Sequence, residues 1–276
     1  MSQTAPAEFE YIQKLVRERS AIVLEDGKVY LADSRLAPLA REEGFQSITE
    51  LVAQLRGERF GRLHRRVVEA MTTNETSFFR DLHPFEALRS AIFPELVGRR
   101  ATTRTLDIWC AASSTGQEPY SLALTIREHF PALATWNVRI TATDLNTEVL
   151  ARAGRGTYSQ LEVNRGLPAP MLVKYFERKG LEWQLKDDVR RLVTFRELNL
   201  AESWPTMGPL DLVMLRNVLI YFDVETKRAI LGKVRRLLRP DGYLFLGGAE
   251  TTINLDDGFE RAQFGKAWAY RVRGGE

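Results

Sequence analysis

Two different spacings of hydrophobic residues divide this chain near residue 75. In the first part, apolar residues recur three and four positions apart, which predicts amphipathic helices. These residues are Phe9, Ile12, Leu15, Val16, Leu51, Leu55, Val67, Val68 and Met71. After residue 100, short apolar runs alternate with stretches of helical spacing. We therefore predict an all-helical domain over 1–75, a linker with a connecting helix over 76–100, and an α/β domain over 101–276.

The alternation in the second part is typical of a parallel sheet with crossover helices. Strands are predicted over 106–111, 138–144, 210–217 and 243–246, and helices over 119–130 and 224–238. The last segment, 259–272, contains no helical spacing and alternates as antiparallel edge strands do. The pattern predicts a Rossmann-like sheet that is mostly parallel and carries an antiparallel edge.

Residues 157–198 interrupt this alternation. Helical spacing over 161–175 is followed by two short strand-like runs, at 181–185 and 193–195. We predict that these two runs pair as a β-hairpin. The segment would then be a small flap of helix and antiparallel strands, inserted into the α/β domain.

The first strand leads into a loop of small residues, 112–116, and a helix with Glu118 in its first turn. A dinucleotide site would have several glycines here and no acid, because a carboxylate repels a phosphate. A carboxylate attracts a cation instead. S-adenosylmethionine carries an ammonium and a sulfonium but no phosphate, so the loop favours it over NAD or ATP. In the alternative interpretation, Glu118 only complements the helix dipole.

A second acid ends the next predicted strand. Asp144 lies where nucleotide-binding sheets place the carboxylate that accepts hydrogen bonds from both ribose hydroxyl groups. An acid at the end of a strand is about as often a helix cap or a turn residue. From this residue alone, both interpretations stand.

Composition and charge limit the other classes of function. A net charge of +3 and a pI of about 9.0 are too small a basic excess to indicate nucleic-acid binding. Cys110 is the single cysteine, which excludes an internal disulfide, and the three histidines lack metal-ligand spacing. The chain has neither a signal-peptide pattern nor an apolar run of about 20 residues. We expect a cytoplasmic protein without a metal, a nucleic-acid partner or membrane insertion.

A basic segment follows the middle of the helical domain. Five arginines lie between residues 56 and 66, and spacing places Arg59, Arg62 and Arg66 on one helix face. Such a face is either simply solvated or a docking surface for an acidic partner.

Five sequence blocks occur in the order found in one family. They are T-T-N-E-T-S-F-F-R at 72–80, A-A-S-S-T-G-Q-E-P-Y-S at 111–121, A-T-D-L at 142–145, N-L at 199–200 and R-N-V-L-I-Y-F-D at 216–223. From about residue 10 to residue 271, the chain resembles the chemotaxis receptor methyltransferases of the CheR type. The resemblance implies a class I methyltransferase fold. It also implies methyl transfer from S-adenosylmethionine to chemoreceptor glutamates, an activity of EC 2.1.1.80 type that releases S-adenosylhomocysteine.

The same resemblance implies roles for individual residues. The implied cofactor-binding residues are Asn74, Thr76, Arg80, Glu118, Asp144, Leu145, Asn199, Leu200, Arg216 and Asn217. Among them, Glu118 matches the acid that holds the methionine ammonium, and Asp144 matches the ribose acid. Three residues, Arg80, Tyr221 and Arg35, are implied to be catalytic, with Tyr221 and Arg35 on the methyl-acceptor side.

Two departures from the family pattern concern the partner, the cytoplasmic methylation region of a chemoreceptor. The predicted second helix keeps Arg35 and Arg41 but adds Glu42 and Glu43, so we expect receptor docking to shift toward the Arg56–Arg66 segment. The flap lacks the glycine-rich loop of members that bind a receptor's C-terminal pentapeptide. We therefore expect methylation that does not depend on that tether.

Two alternative functions would keep the same cofactor site. One is methylation of a small carboxylate or another acceptor, although the extra helical domain and the flap suit a macromolecular acceptor better. The other is a non-catalytic signalling module that senses S-adenosylmethionine.

Overall fold

The N-terminal part of the chain folds as helices around their own apolar core. The protein is described by a computed structural model over residues 4–275. The first helices are α1 (Pro6–Ser20), α2 (Val29–Glu42), α3 (Ile48–Gly57) and α4 (Arg62–Ala70). Every apolar residue whose spacing predicted these helices is buried in one cluster. The predicted all-helical domain is therefore confirmed.

A helix of three segments connects this core to the sheet. It consists of α5 (His83–Ala87), a π-helical turn at Leu88–Ile92 and α6 (Phe93–Arg99). Phe85, Leu88 and Ile92 are buried on its inner face, as their spacing predicted.

The remaining chain alternates between strands and helices. The strands are β1 (Thr105–Ala111), β2 (Asn137–Asp144), β3 (Thr157–Ser159), β4 (Phe176–Lys179), β5 (Glu182–Leu185), β6 (Val193–Glu197), β7 (Leu210–Leu215), β8 (Leu238–Leu246), β9 (Phe259–Phe264) and β10 (Ala267–Val272). The helices are α7 (Gln117–His129), α8 (Thr147–Arg155), α9 (Gln160–Asn164), α10 (Ala169–Tyr175), α11 (Asp187–Arg190) and α12 (Val224–Leu237). Within residues 4–275, no helix combines the length and the apolar character needed to cross a bilayer.

Seven strands form one twisted sheet in the order β6-β2-β1-β7-β8-β10-β9. The pairs from β6 to β8 are parallel, and β10 is antiparallel to both β8 and β9. Separate apolar clusters cover the two faces of the sheet, as expected for a sheet flanked by helices. The predicted Rossmann-like sheet with its antiparallel edge is confirmed.

The flap differs from the prediction in two ways. Its sheet has the order β3-β5-β4, and the hairpin joins β4 to β5. The predicted pairing of 193–195 with the flap is wrong, because this run belongs to β6 and pairs with β2 in the main sheet. The predicted helix over 161–175 is two helices, α9 and α10. They separate at Gly166, where φ is +89° and an added Cβ would clash with the Phe78 carbonyl oxygen.

The N-terminal helices lie over the carboxyl edge of the parallel strands. Backbone of the α1–α2 connection pairs with the turn after β7, with Val23 N–H donating to the Tyr221 carbonyl at 2.9 Å. The Asn199 side chain, beyond β6, donates to the carbonyl of Arg19 at 2.7 Å. These contacts close one side of the space above the strand ends.

The basic segment is not the single helix face that we predicted. Arg59 lies in the loop between α3 and α4, so it does not share a face with Arg62 and Arg66. Both of these donate to Glu43 of the α2–α3 connection, and their hydrogen bonds lower the pKa of Glu43 to about 2. Part of the positive charge in this segment therefore neutralises an acid of the same domain.

Candidate functional site

A cleft opens at the carboxyl edge of the sheet, between the ends of β1, β2 and β7 and the N-terminal helices. Residues of the sheet edge, of the segment over 72–80 and of the α1–α2 connection line it, which gives a concave site of mixed polar and apolar character. Among the residues predicted for the site, the structure brings these to the cleft wall: Asn74, Thr76, Arg80, Glu118, Asp144, Leu145, Asn199, Leu200, Arg216, Asn217 and Tyr221. Arg35 is not part of the wall.

The loop after β1 forms the floor of the cleft and has an unusual backbone. Ala112 and Ser114 have φ of 52° and 49°, and Gly116 has φ of 91°. A Cβ on Gly116 would lie 3.0 Å from Ala153, so glycine suits both the torsion and the space. The hydroxyl of Ser113 is buried and finds no hydrogen-bond partner within residues 4–275. This loop therefore presents an unsatisfied polar group where a ligand can lie.

Glu118 lies in the first turn of α7, and its side chain is only 12% exposed. Its Oε2 accepts a hydrogen bond from Arg216 Nη1 at 2.6 Å. Burial raises the pKa of Glu118, and the positive charge of Arg216 opposes that shift. Arg216 also donates to Asp81 Oδ2 at 2.6 Å and to the Arg80 carbonyl at 3.1 Å, so its charge is shared between two acids. Two carboxylates around one guanidinium leave this end of the cleft suited to a further cation.

Asp144 ends β2 with its carboxylate oriented by backbone. Oδ2 accepts the N–H of Ser114 at 2.8 Å, and Oδ1 accepts the N–H of Asn146 at 2.9 Å. Burial raises the pKa of Asp144, while these backbone hydrogen bonds act to lower it. Each oxygen keeps a lone pair, so the carboxylate can accept two more hydrogen bonds, as from two vicinal hydroxyl groups.

The segment over 72–80 forms the other wall of the cleft. Ser114 Oγ donates to the Asn74 carbonyl at 2.8 Å, and Arg80 Nη1 donates to the Glu75 carbonyl at 3.0 Å. Phe78 and Phe79 are buried in the main core and anchor the segment. The predicted cofactor residues Asn74 and Thr76 are thereby held against the loop after β1.

The two residues predicted on the methyl-acceptor side differ in their surroundings. Tyr221 lines the cleft at the end of the turn that follows β7. Arg35 instead donates to the carbonyls of Met71 and Thr72 at 2.7 and 3.0 Å, and burial lowers its pKa. Arg35 thus fixes the segment that leads into the cleft wall, and its contact with an acceptor stays a prediction.

Several residues in or behind the cleft wall have no signal in the spacing of hydrophobic residues. Ser20 and Ile22, from the end of α1 and the following connection, reach the wall because the helical domain lies over the strand ends. The carboxylate of Glu250 binds backbone N–H groups of the turn after β7. Such contributions depend on tertiary packing, which the spacing of hydrophobic residues does not indicate.

The chemistry of the wall fits a cationic nucleoside without phosphate. Glu118 and Asp144 are acids at two separate places in one cleft, and the loop between them contains the unpartnered Ser113 hydroxyl. A pyrophosphate would meet carboxylates where it needs N–H groups or cations. S-adenosylmethionine offers an ammonium to the first acid and a ribose to the second.

Comparison with known proteins agrees with this chemistry. The family model described as "CheR methyltransferase, SAM binding domain" matches residues 74–267, and "CheR methyltransferase, all-alpha domain" matches residues 7–72. A chemotaxis protein methyltransferase 1 of Pseudomonas aeruginosa is 43% identical, over 98% of this chain and 99% of its own length. Chemotaxis protein methyltransferase Cher2 of Pseudomonas putida is 38% identical over the same shares of the two chains.

A relative from Vibrio parahaemolyticus, also named chemotaxis protein methyltransferase, is 39% identical over 96% of this chain and 97% of its own. Among solved structures, a DhpI–SAH complex aligns with 70% of this chain and 71% of its own at 19% identity, with a TM-score of 0.33. The family matches cover both the helical domain and the sheet. The chain therefore belongs to the CheR family of S-adenosylmethionine-dependent chemotaxis methyltransferases.

Proposed function

We propose that the chain methylates glutamate side chains in the cytoplasmic methylation region of a chemoreceptor, an activity of EC 2.1.1.80 type. The observation that carries the proposal is one cleft whose wall combines Glu118, Asp144 and Tyr221. The first two suit the cofactor, and the tyrosine offers a hydroxyl to an acceptor. The chemotaxis names of the relatives support a receptor as that acceptor.

The reaction needs little acid–base chemistry from the protein. A glutamate carboxylate, with a pKa of about 4.3, is already ionised at neutral pH, so no general base is required. Bound S-adenosylmethionine supplies an electrophilic methyl group on a sulfonium. The acceptor carboxylate oxygen would take the methyl group as the C–S bond breaks, the departing thioether would keep that electron pair, and no residue of the cleft would have to move a proton. The cleft residues contribute alignment and the exclusion of water.

Individual roles follow from these contacts. Glu118 would hold the methionine ammonium through Oε1, the oxygen that Arg216 does not occupy. Asp144 would hold the ribose hydroxyl groups. The remaining proposed cofactor contacts are Asn74, Thr76, Arg80, Leu145, Asn199, Leu200, Arg216 and Asn217. Because Arg216 is already bound to two acids, we assign it mainly to the orientation of Glu118.

Replacing Tyr221 with phenylalanine should lower kcat by about tenfold, because the acceptor carboxylate loses one steering hydrogen bond. Affinity for S-adenosylhomocysteine should change little, since the ring and the turn are kept. The measurement is initial-rate methylation beside calorimetric titration with S-adenosylhomocysteine. Tyr30→Phe is the matched control, because Tyr30 is 61% exposed and lies outside the cleft wall. Equal losses of rate and affinity in Tyr221→Phe would contradict the assigned role.

Cofactor binding should weaken in mildly acidic solution. Burial raises the pKa of Glu118, so its carboxylate gains a proton at a higher pH than an exposed glutamate does. A cation binds the ionised form, and so affinity is full above the raised pKa and falls as the pH drops through it, by up to about tenfold per pH unit. Titration with S-adenosylhomocysteine between pH 8 and pH 5 measures this. Glu118→Gln should bind weakly and with a smaller slope, since the buried Asp144 still titrates, and a slope unchanged by this substitution would exclude Glu118 as its origin.

The proposed function is tested with labelled S-adenosylmethionine and a soluble fragment of a receptor methylation region. Label that the fragment acquires and that mild base releases supports a glutamyl methyl ester. Label on a small carboxylate but not on the fragment would favour a methyltransferase that acts on a small acceptor. Tight cofactor binding without transfer to any acceptor would favour the sensing module.

We also expect that methylation does not depend on a receptor tether. The β4–β5 hairpin turns through Gly180 and Leu181 alone, which is too short for a glycine-rich peptide-binding loop. Fragments with and without a C-terminal pentapeptide should therefore be methylated at the same rate. We also propose that the protein acts in the cytoplasm, because its receptor substrate region is cytoplasmic.

A further inference from the structure

A single carboxylate holds the turn that follows β7. Oε2 of Glu250 accepts the backbone N–H of Gly247 at 2.6 Å and that of Asn217 at 2.7 Å. Oε1 accepts the N–H of Val218 at 2.9 Å and that of Ile220 at 3.3 Å. Successive N–H groups directed at one anion form a nest, in which the anion fixes the path of the backbone.

The neighbouring atoms pack tightly around the Glu250 carboxylate. Asn217 has φ of 58°, a left-handed conformation that needs support from its neighbours. A Cβ on Gly247 would lie 2.6 Å from Asn217 Nδ2 and 2.7 Å from Glu250 Oε2. Glycine at position 247 is therefore what allows the Glu250 carboxylate to reach the turn.

The turn held in this way carries the acceptor side of the cleft. It begins beside Arg216, which Glu118 and Asp81 hold independently at 2.6 Å each, and it ends at Tyr221. Loss of the Glu250 hydrogen bonds would thus disturb Tyr221 more than Arg216.

We propose that Glu250 is a positioning residue for methyl transfer, which aligns the Tyr221 hydroxyl by fixing the backbone of residues 217–220. This inference rests on the proposed function, because it assigns Tyr221 to the acceptor. Glu250 acts through the turn and touches neither the cofactor nor the acceptor carboxylate.

Glu250→Gln is the primary test, because it keeps the size of the side chain and removes one acceptor oxygen. The amide NH₂ cannot accept hydrogen bonds from the two backbone N–H groups that it would face. The turn would therefore keep only two of its four hydrogen bonds to residue 250. We expect kcat at saturating cofactor to fall about tenfold, and the Kd for S-adenosylhomocysteine to rise by a smaller factor, because Asn217 of the same turn is a proposed cofactor contact. Asp257→Asn, which removes the same charge from an exposed position nearby, is the control and should keep full activity.

A double-mutant cycle separates positioning from general structural damage. If Glu250 acts through Tyr221, then Glu250→Gln should lower kcat by less than about threefold in the Tyr221→Phe background. Additive losses in the cycle, or unchanged kcat in Glu250→Gln, would overturn the inference.

A second variant keeps the negative charge of Glu250 but displaces its carboxylate from the turn. Gly247→Ala pushes a methyl group against the Glu250 carboxylate, and it should reproduce the loss of kcat even if Glu250→Gln does not fold. Full activity of a folded Gly247→Ala protein would count against the positioning role. Failure of the proposed function is distinguishable, because the wild-type enzyme would then leave the receptor fragment unlabelled, whatever these variants do.

Discussion

Replacing Arg100 with methionine should lower the free energy of unfolding by about 3 kcal/mol, because the buried Asp211 keeps only its longer contact with Arg239 at 3.2 Å and Asp241 loses two short hydrogen bonds. Arg100 Nε donates to Asp211 Oδ1 at 2.6 Å, and its terminal nitrogens donate to Asp241 at 2.8 and 2.6 Å. The Asp211 side chain is completely buried near the start of β7, where it also accepts the N–H of Asp107 at 2.8 Å. This network joins the connecting helix to the middle of the sheet.

Thermal or urea unfolding of the two proteins measures this loss. A change of 3 kcal/mol corresponds to a fall of about 6–12 °C in the midpoint for a chain of roughly this size. Arg139→Met is the matched control, because Arg139 also binds an aspartate with two nitrogens but its side chain is 59% exposed. Exposed pairs contribute at most about 1 kcal/mol, so this variant should unfold close to the wild type. Similar small losses in both variants would show that burial of the Arg100 network does not matter.

The two domains and the main sheet could be predicted from the sequence because their patterns are local. Every residue of β7 is buried and all but Asp211 are apolar, as is typical of a central parallel strand. The run at 193–195 could not be assigned in the same way. Its alternation fits a flap hairpin or an edge strand equally well, and the choice depends on its pairing with Ile140 of β2, far away in the sequence.

In the candidate site, too, local motifs indicate some residues, while others depend on contacts between distant parts of the sequence. Glu118 and Asp144 follow strands that are neighbours in the sheet, so local motifs place both in one cleft. The contacts of Arg35 and Glu250 are different, because their partners are mainly backbone groups far away in the sequence. Glu250 binds Asn217 across 33 positions of sequence, and no periodicity carries that information. The acids proposed to bind a ligand are thus easier to predict than the residues that hold the cleft wall in place.

Replacing Asp144 with alanine should weaken binding of S-adenosylhomocysteine by about 100- to 1000-fold, the value of two hydrogen bonds to a charged group. The carboxylate is already oriented by the N–H groups of Ser114 and Asn146, so little freedom is lost when the ribose binds. Asp144→Asn keeps the shape and one acceptor oxygen, and it should lose only about tenfold. Calorimetric titration of the folded proteins gives these affinities directly.

Asp107→Asn is the control for charge, because Asp107 lies toward the opposite end of β1 and pairs with Arg139 on the surface. It should bind S-adenosylhomocysteine as the wild type does. The Ser114 N–H loses its acceptor in Asp144→Ala, so unfolding of each variant is measured alongside binding. If folded Asp144→Ala binds within about threefold of the wild type, two ribose hydrogen bonds cannot be present. Asp144 would then serve only as a cap or turn residue, which is the other interpretation that its position at the end of a strand allows.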